Sequence, residues 1–315
     1  MRKLTADYLD IKREIKMGIL SIASGILEQG FIFGIMALGI YITYKILDFP
    51  DLSVDGTFPL GAAVSTKLIL SGVNPWLGLL GAFAAGTLAG VLTGFFHVKL
   101  KIKDLLSGIL TMTLLYSVNY RIVGKPNEFF MGESTVFSTV NSLFPNMSPA
   151  YKPYTALLTV FVIAVIVKYV LDWYLGTKSG FLLKSVGSNE ALVITLAEDP
   201  GKVKIIGLAI CNGLVALAGA IYSQRSTQFD ISSGTGMLVM GLAAVIIGTT
   251  VFSKMKFLRV TTGVLVGMIV YKACITLAIS SGLQSSDMNL VVTVLFVLTL
   301  VFSDISKKKG AAKNA

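Results

Sequence analysis

Charge is what this sequence has least of. Asp, Glu, Lys and Arg make up 14% of its 315 residues, against 54% hydrophobic side chains and a mean hydropathy of +0.77. So few charges cannot keep an open chain solvated, and so much apolar surface exceeds what one or two water-soluble domains bury. Two cysteines, Cys211 and Cys274, both inside apolar runs, exclude a disulfide framework and pack as small hydrophobes. The 31 glycines follow no three-residue period, which excludes a collagen-like chain. The single histidine, His97, stands without a cysteine pair or carboxylate cluster, so neither a metal site nor a catalytic triad is expected. No Gly-x-x-x-x-Gly-Lys phosphate loop is present, so any ATP hydrolysis belongs to another chain. No catalytic residue, cofactor or metal is expected, and no nucleic-acid partner. A membrane protein remains.

What is present is a series of apolar stretches separated by polar breaks. Crossing the hydrocarbon takes about 20 residues of helix, because lipid offers backbone groups no other partner. Nine stretches are predicted to do so, at 26–46, 56–71, 76–97, 105–123, 154–175, 204–224, 236–252, 260–279 and 288–303. The second and seventh are short. Each follows a Ser/Asp/Gly segment, residues 51–57 and 230–236, as expected of helices that start within or at the edge of the membrane. Each also precedes a small-residue helix, which suggests two halves. The predicted fold is an all-α polytopic membrane protein of about nine transmembrane helices, an inverted repeat of four helices, a linker and four helices (4+1+4), with the two segments on opposite faces. Residues 1–17 precede this transmembrane region (18–304) as an amphipathic segment with Leu4, Tyr8, Ile11 and Ile15 on one side; residues 305–315 form a basic tail. No short apolar core follows the N-terminal charges, so no cleaved signal peptide is expected.

Basic residues give the orientation. Lys99, Lys101 and Lys103, then Lys178, Lys184, Lys202 and Lys204, then Lys254, Lys256 and Arg259, and finally Lys307, Lys308, Lys309 and Lys313 all fall on one side of a nine-span chain. That side is cytoplasmic by the positive-inside rule, and the N-terminus lies outside. The net charge of +10 is therefore a topology signal. The five basic residues of the first 16 run against it, partly offset by Asp7, Asp10 and Glu14.

Glycines four apart (Gly30 and Gly34; Gly86, Gly90 and Gly94; Gly263 and Gly267) form flat stripes for close helix packing, expected within the chain rather than between copies. The inner loop 176–203 holds a short predicted helix, capped by Ser188 or Asn189 and stopped by Pro200 and Gly201. Leu192, Val193, Leu196 and Ala197 form its apolar face. That face is too apolar to stay bare, so it lies against its own bundle, against lipid, or in the groove of a cytoplasmic partner. The outer loop 124–153 carries four of the eight prolines with Phe129, Phe130, Phe137 and Phe144; it is either a lateral interfacial helix or a docking face.

Three of these stretches carry a resemblance: residues 51–61 (Asp-Leu-Ser-Val-Asp-Gly-Thr-Phe-Pro-Leu-Gly), residues 99–113 beginning Lys-Leu-Lys-Ile-Lys, and Gly187-Ser-Asn-Glu190. The chain is similar to permease subunits of bacterial ATP-binding-cassette importers, in the family of the branched-chain amino acid and ribose permeases. Within it, the likeness is greatest to permeases encoded beside a tryptophan- or tyrosine-type binding lipoprotein and an ATPase. The resemblance covers the chain from about residue 26. It implies a homodimer in the bacterial cytoplasmic membrane, in contact with lipid. It further implies two ATPase subunits docked on Gly187, Ser188, Asn189, Glu190, Leu192, Val193 and Leu196, and an external binding lipoprotein that delivers solute. Relatives usually have a small residue at 193 and Gly at 197, so Val193 and Ala197 make a bulkier contact face here.

Asp51, Ser53 and Asp55 bracket the short second helix. Asp55 caps it and Ser53 satisfies stranded backbone groups, or an unwound backbone here lines the pathway or its gate. Asp230, Ser232 and Ser233, with Arg225 nearby, match them in the second half as a solvated outer loop. Among ionisable groups in spans, Lys168 and Asp172 pair at i, i+4, Lys67 and Arg121 anchor outer ends, and Glu28 and Lys272 suit the interior, either as pathway groups or in structural pairs. The rival function is a proton-coupled secondary transporter of the same inverted-repeat fold, relaying protons through Glu28, His97 or Asp172.

Overall fold

The computed structural model describes residues 2–145, 152–251 and 259–280, with isolated positions between 290 and 301. They form eleven α-helices and one two-stranded ribbon. Six helices are long and apolar enough to cross a membrane. The ninth predicted span, Lys254, Lys256 and the basic tail lie outside the described residues.

Helix α1 (Arg2–Ile40) has no break at residue 17 and passes into a π-helical stretch, Tyr41–Ile46. The wider turn ends where Leu47 N donates to Ile42 O (2.9 Å), a register that α-helical geometry does not offer. The apolar face expected over Leu4 to Ile15 falls on side chains outside the description. After a left-handed Asp48 the chain runs irregularly to α2 (Val54–Leu70), only 17 residues long. Asn74 caps α3 (Pro75–Val98) by accepting from Trp76 N, with Pro75 at the first helical position, where its missing N–H costs nothing. Helix α4 (Asp104–Val123) ends at left-handed Gly124.

The outer loop contains both kinds of element. Strand β1 (Asn127–Phe129) pairs antiparallel with β2 (Gln228–Asp230), and α5 (Val136–Ser142) starts in a capping box between Thr135 and Ser138. Phe130 and Phe137 are buried beneath them, whereas Phe129 and Phe144 are exposed. Helix α6 (Lys152–Leu175) leads to α7 (Lys178–Ser188) and the six-residue α8 (Glu190–Thr195). Then come α9 (Pro200–Ser226), the β2 strand, a 3-10 turn (Ile231–Gly234), α10 (Met237–Val251) and α11 (Val260–Ser280).

Helices α1 and α9 are the centre, each with 72% of its apolar window buried, while α6 at 28% is peripheral. The glycine stripes explain how they approach. Gly86, Gly90 and Gly94 of α3 lie against the α9 backbone at Asn212, Leu208 and Ile205. Gly30 and Gly34 of α1 meet Ile269 and Leu265 of α11, and Gly263 and Gly267 of α11 meet α10. All three stripes therefore join helices of one chain. These contacts also set directions: α2 runs parallel to α9 (Thr57 beside Asn212, Ser65 beside Gln224), and α3 runs antiparallel to it. At one end of the bundle Gly187 packs on Ile46, Gly201 on Val98, and Arg259 pairs with Asp172, so the described basic clusters gather there.

Candidate permease pathway and loop

The segment between the π turn and α2 is held by one asparagine of α9. Asn212 Nδ2 donates to Asp51 Oδ2 (2.7 Å) and to Leu208 O (3.1 Å). Its Oδ1 lies 3.1 Å from Ser53 Oγ and 2.7 Å from Thr57 Oγ1. Asp51 Oδ1 also accepts from Ser53 N (2.9 Å), closing a tight turn. Asp51, Ser53, Thr57 and Asn212 are all fully buried. The knot satisfies every hydrogen-bonding position of the Asn212 amide. Among the described residues no basic side chain pairs with Asp51, and its donors are the Asn212 amide and the Ser53 backbone N–H.

Asp55 acts differently from expectation. Its carboxylate does not cap α2; Oδ2 accepts from Gly236 N (3.1 Å) and Oδ1 from Leu238 N (2.8 Å), so it caps α10 instead. The two Ser/Asp/Gly segments, expected on opposite faces, therefore meet. Pro59 supports the contact: lacking an N–H, it leaves the Asp55 carbonyl without its helical donor, and Gly234 packs against that carbonyl. Two short helices thus start at one point, level with the middle of α9, and run in opposite directions. Asp230 caps the 3-10 turn through Ser232 N (2.8 Å), within a ribbon paired to the outer loop rather than a loose loop.

The inner loop divides into buried and exposed parts. Gly187 packs directly on the Ile46 carbonyl, where a side chain would not fit, and Val193 is 0% exposed. These two, expected on the docking face, pack against the chain itself and seat the loop on its own bundle. Asn189 caps α8 through Ala191 N (3.0 Å), Ser188 and Glu190 are exposed, and Glu190 pairs with Lys204. Leu192, Ile194 and Leu196 point outward, 48%, 63% and 57% exposed. The helix stops at left-handed Ala197 (φ 58°), and Asp199 with Pro200 begins the next helix instead of ending this one.

Comparison with known proteins settles the class. The family described as "Branched-chain amino acid transport system / permease component" matches residues 22–303. The chain belongs to this permease family. The permease is 41% identical over 298 residues (94% of this chain, 95% of the other) to the tyrosine transport system permease protein of Clostridioides difficile. It is 27% identical to the ribose import permease RbsC of Escherichia coli K12 (90% and 85% covered) and 25% to the fructose import permease FruF of Bifidobacterium longum (79% and 69%). No solved structure gives a significant match. With its six long apolar helices, the permease is a multi-pass protein of the cytoplasmic membrane and a component of a transport system.

Of the ionisable groups expected within spans, Glu28, Lys168, Asp172 and Lys272 have structural partners. Glu28 is buried and paired with Arg225, whose Nη2 lies 3.3 Å from Oε2. Arg225 therefore joins α9 to α1 rather than serving the 230–236 loop. Asp172 takes Lys168 (3.1 Å) as expected, and also Arg259 Nη1 (3.1 Å) and Thr261 Oγ1 (2.6 Å), tying α6 to α11. His97 Nδ1 lies 2.9 Å from Ile102 O, its ring edge-on to Phe49. Lys272 sits 3.8 Å above the Phe33 ring, and among the described residues no carboxylate pairs with it. Lys67 and Arg121 are exposed at helix ends. Sequence reasoning missed Asn212 and Asn119, although a lone asparagine inside an apolar span is itself the signal.

Proposed function

We propose that this permease is the membrane subunit of an importer driven by ATP hydrolysis on separate ATP-binding-cassette subunits, and that its solute is an aromatic amino acid. The carrying observation is the short helix α8. Three large apolar side chains, Leu192, Ile194 and Leu196, stand exposed on a piece pinned from beneath by Val193 and Gly187. Burying each stabilises a complex by roughly 1.5–3 kcal/mol, enough in sum for a docking knob. The end of the bundle where it sits also gathers the basic clusters, which favours a cytoplasmic position and hence a cytoplasmic partner. The solute class is supported by the tyrosine system relative. Nine spans in a 4+1+4 inverted repeat, an outer N-terminus, a homodimer and an external binding lipoprotein complete the proposal. The pairs α1 with α9 and α2 with α10, each a long helix followed by a Ser/Asp/Gly segment and a short helix, support the repeat. Glu28, Asp172 and His97 are engaged in structural contacts, which leaves the proton-relay rival without a supporting observation.

The test is co-purification. Leu192→Asp with Leu196→Asp should abolish recovery of the ATPase on the tagged permease, while the permease keeps its membrane yield and monodisperse elution. Lys125→Ala, on the outer loop beside β1, should have no effect. Undiminished ATPase recovery with the double variant rejects the knob as the docking element.

A further inference from the structure

Beside the point where the two short helices start lies a cavity of about 490 Å³, within the usual range for small-molecule sites. Its wall comes from α2, α4 and the 3-10 turn before α10, and includes Asp55, Met112, Tyr116, Asn119, Ser232 and Thr235. The polar groups here are only partly used. Each oxygen of the Asp55 carboxylate accepts one backbone N–H of α10 and has a further lone pair. Asn119 is fully buried; its Nδ2 donates to Gly56 O (3.0 Å), and its Oδ1 has no partner. An unpaired buried amide oxygen costs about 1–3 kcal/mol, and this one, unlike the unpartnered hydroxyls of Thr66, Ser233 and Tyr271, belongs to a residue that lines the cavity, where a donor can reach it. The hydroxyl residues Ser232 and Thr235 are exposed beside Asp55, on the segment that includes Gly234, which packs on the Asp55 carbonyl, and Tyr116, 59% exposed, lies one helical turn beyond Met112 on α4.

We propose that this cavity recognises an α-amino acid in transit, with the ammonium group received by Asp55 and the Asn119 carbonyl oxygen, the carboxylate by the hydroxyls of Ser232 and Thr235, and a large side chain by Tyr116 and Met112. The inference rests on the amino-acid import reading above and deepens it. A net-neutral solute whose ammonium and carboxylate share one carbon fits a wall that presents an anionic carboxylate and, beside it, neutral hydroxyl donors. A sugar would leave the carboxylate without a cation. Asp55 then has two tasks, capping α10 and meeting the ammonium, so solute arrival bears directly on the start of α10.

The complete transporter with ATPase and binding lipoprotein, reconstituted in proteoliposomes on a Cys274→Ser background, tests this with labelled tyrosine. Ser117, exposed on the cavity wall, becomes the probe as Ser117→Cys. A water-soluble thiol reagent should modify it, and saturating tyrosine should slow modification at least fivefold, whereas Leu114→Cys on the outer face of α4 should show no protection. Asn119→Leu should cut tyrosine uptake at least tenfold while membrane yield and monodisperse elution of the complex stay at the parental level. Asp55→Asn, which retains an acceptor for α10, should do the same. Absence of tyrosine protection at position 117, or parental uptake by both variants in a transporter that imports tyrosine, overturns the site alone. Import by the parent of a sugar and no amino acid overturns the solute reading and the site with it.

Discussion

Asn212 shows how much one polar residue decides in a lipid-embedded bundle. It meets Asp51, Ser53 and Thr57 from a helix more than 150 positions away in sequence, and without it a fully buried carboxylate keeps only the Ser53 amide. Leaving a buried polar group unsatisfied costs about 1–3 kcal/mol, more when it is charged. Asn212→Leu is therefore expected to lower stability by on the order of 3 kcal/mol and Asp51→Asn by less, because an amide needs no charge compensation. Thermal unfolding in detergent, followed by tryptophan fluorescence, checks the order; equal midpoints for parent and Asn212→Leu would remove the knot from the list of stabilising features. The partners of Asp51 were not legible in sequence, since no spacing rule pairs residue 51 with residue 212. That the segment needed a partner was legible, because Asp and Ser beside an apolar helix cannot be left bare in lipid.

At the scale of elements, what composition dictates and what it leaves open separate cleanly. Eight predicted spans coincide with helices of the structure, but among the described residues six helices are long and apolar enough to cross a membrane; the stretches at 56–71 and 105–123 form α2 and α4, outside those six. Boundaries were less legible where backbone geometry rather than hydropathy sets them. The π turn at Tyr41–Ile46 and the left-handed end of α8 at Ala197 leave no hydropathy trace, and Pro200 serves equally well as stop or start until the fold is known. The glycine stripes were legible in position, and their partners only in the structure. Gly90 touches the Leu208 carbonyl so closely that any Cβ must displace α3 from α9. Gly90→Leu is expected to destabilise the bundle by more than the roughly 1–3 kcal/mol of ordinary overpacking, since backbone rather than a movable side chain blocks it. Membrane-fraction yield and detergent half-life should both fall severalfold, whereas Gly18→Leu, with open space around it, should change neither.

For the whole molecule, the two short helices matter most through their directions. From a shared start at Asp55, α2 runs with α9 toward the ribbon of β1 and β2, and α10 runs toward the end that holds α8 and Arg259. Two short helices pointing apart from one level, the first preceded by irregular backbone buried in protein and the second by a segment that lines a cavity, are the arrangement in which irregular backbone is tolerated at membrane depth. The arrangement also fixes which residues share a side. Lys202 and Lys178 belong with α8, and Lys125 belongs with the ribbon, at the opposite end of the bundle. With the cytoplasm at the α8 end, Lys125→Cys should react with an impermeant thiol reagent added to intact cells, and Lys202→Cys should react only after permeabilisation, again with Cys274 replaced by Ser. The nine spans proposed above carry a further consequence, because with an odd number the two termini lie on opposite sides. A fluorescent protein fused after residue 315 should fold and fluoresce in the cytoplasm, while an epitope before residue 1 should be reached by antibody from outside. Both termini on one side would remove a span from the count and break the four-helix symmetry of the halves. Labelling of Lys202→Cys in intact cells would place α8 outside and take the ATPase docking site away.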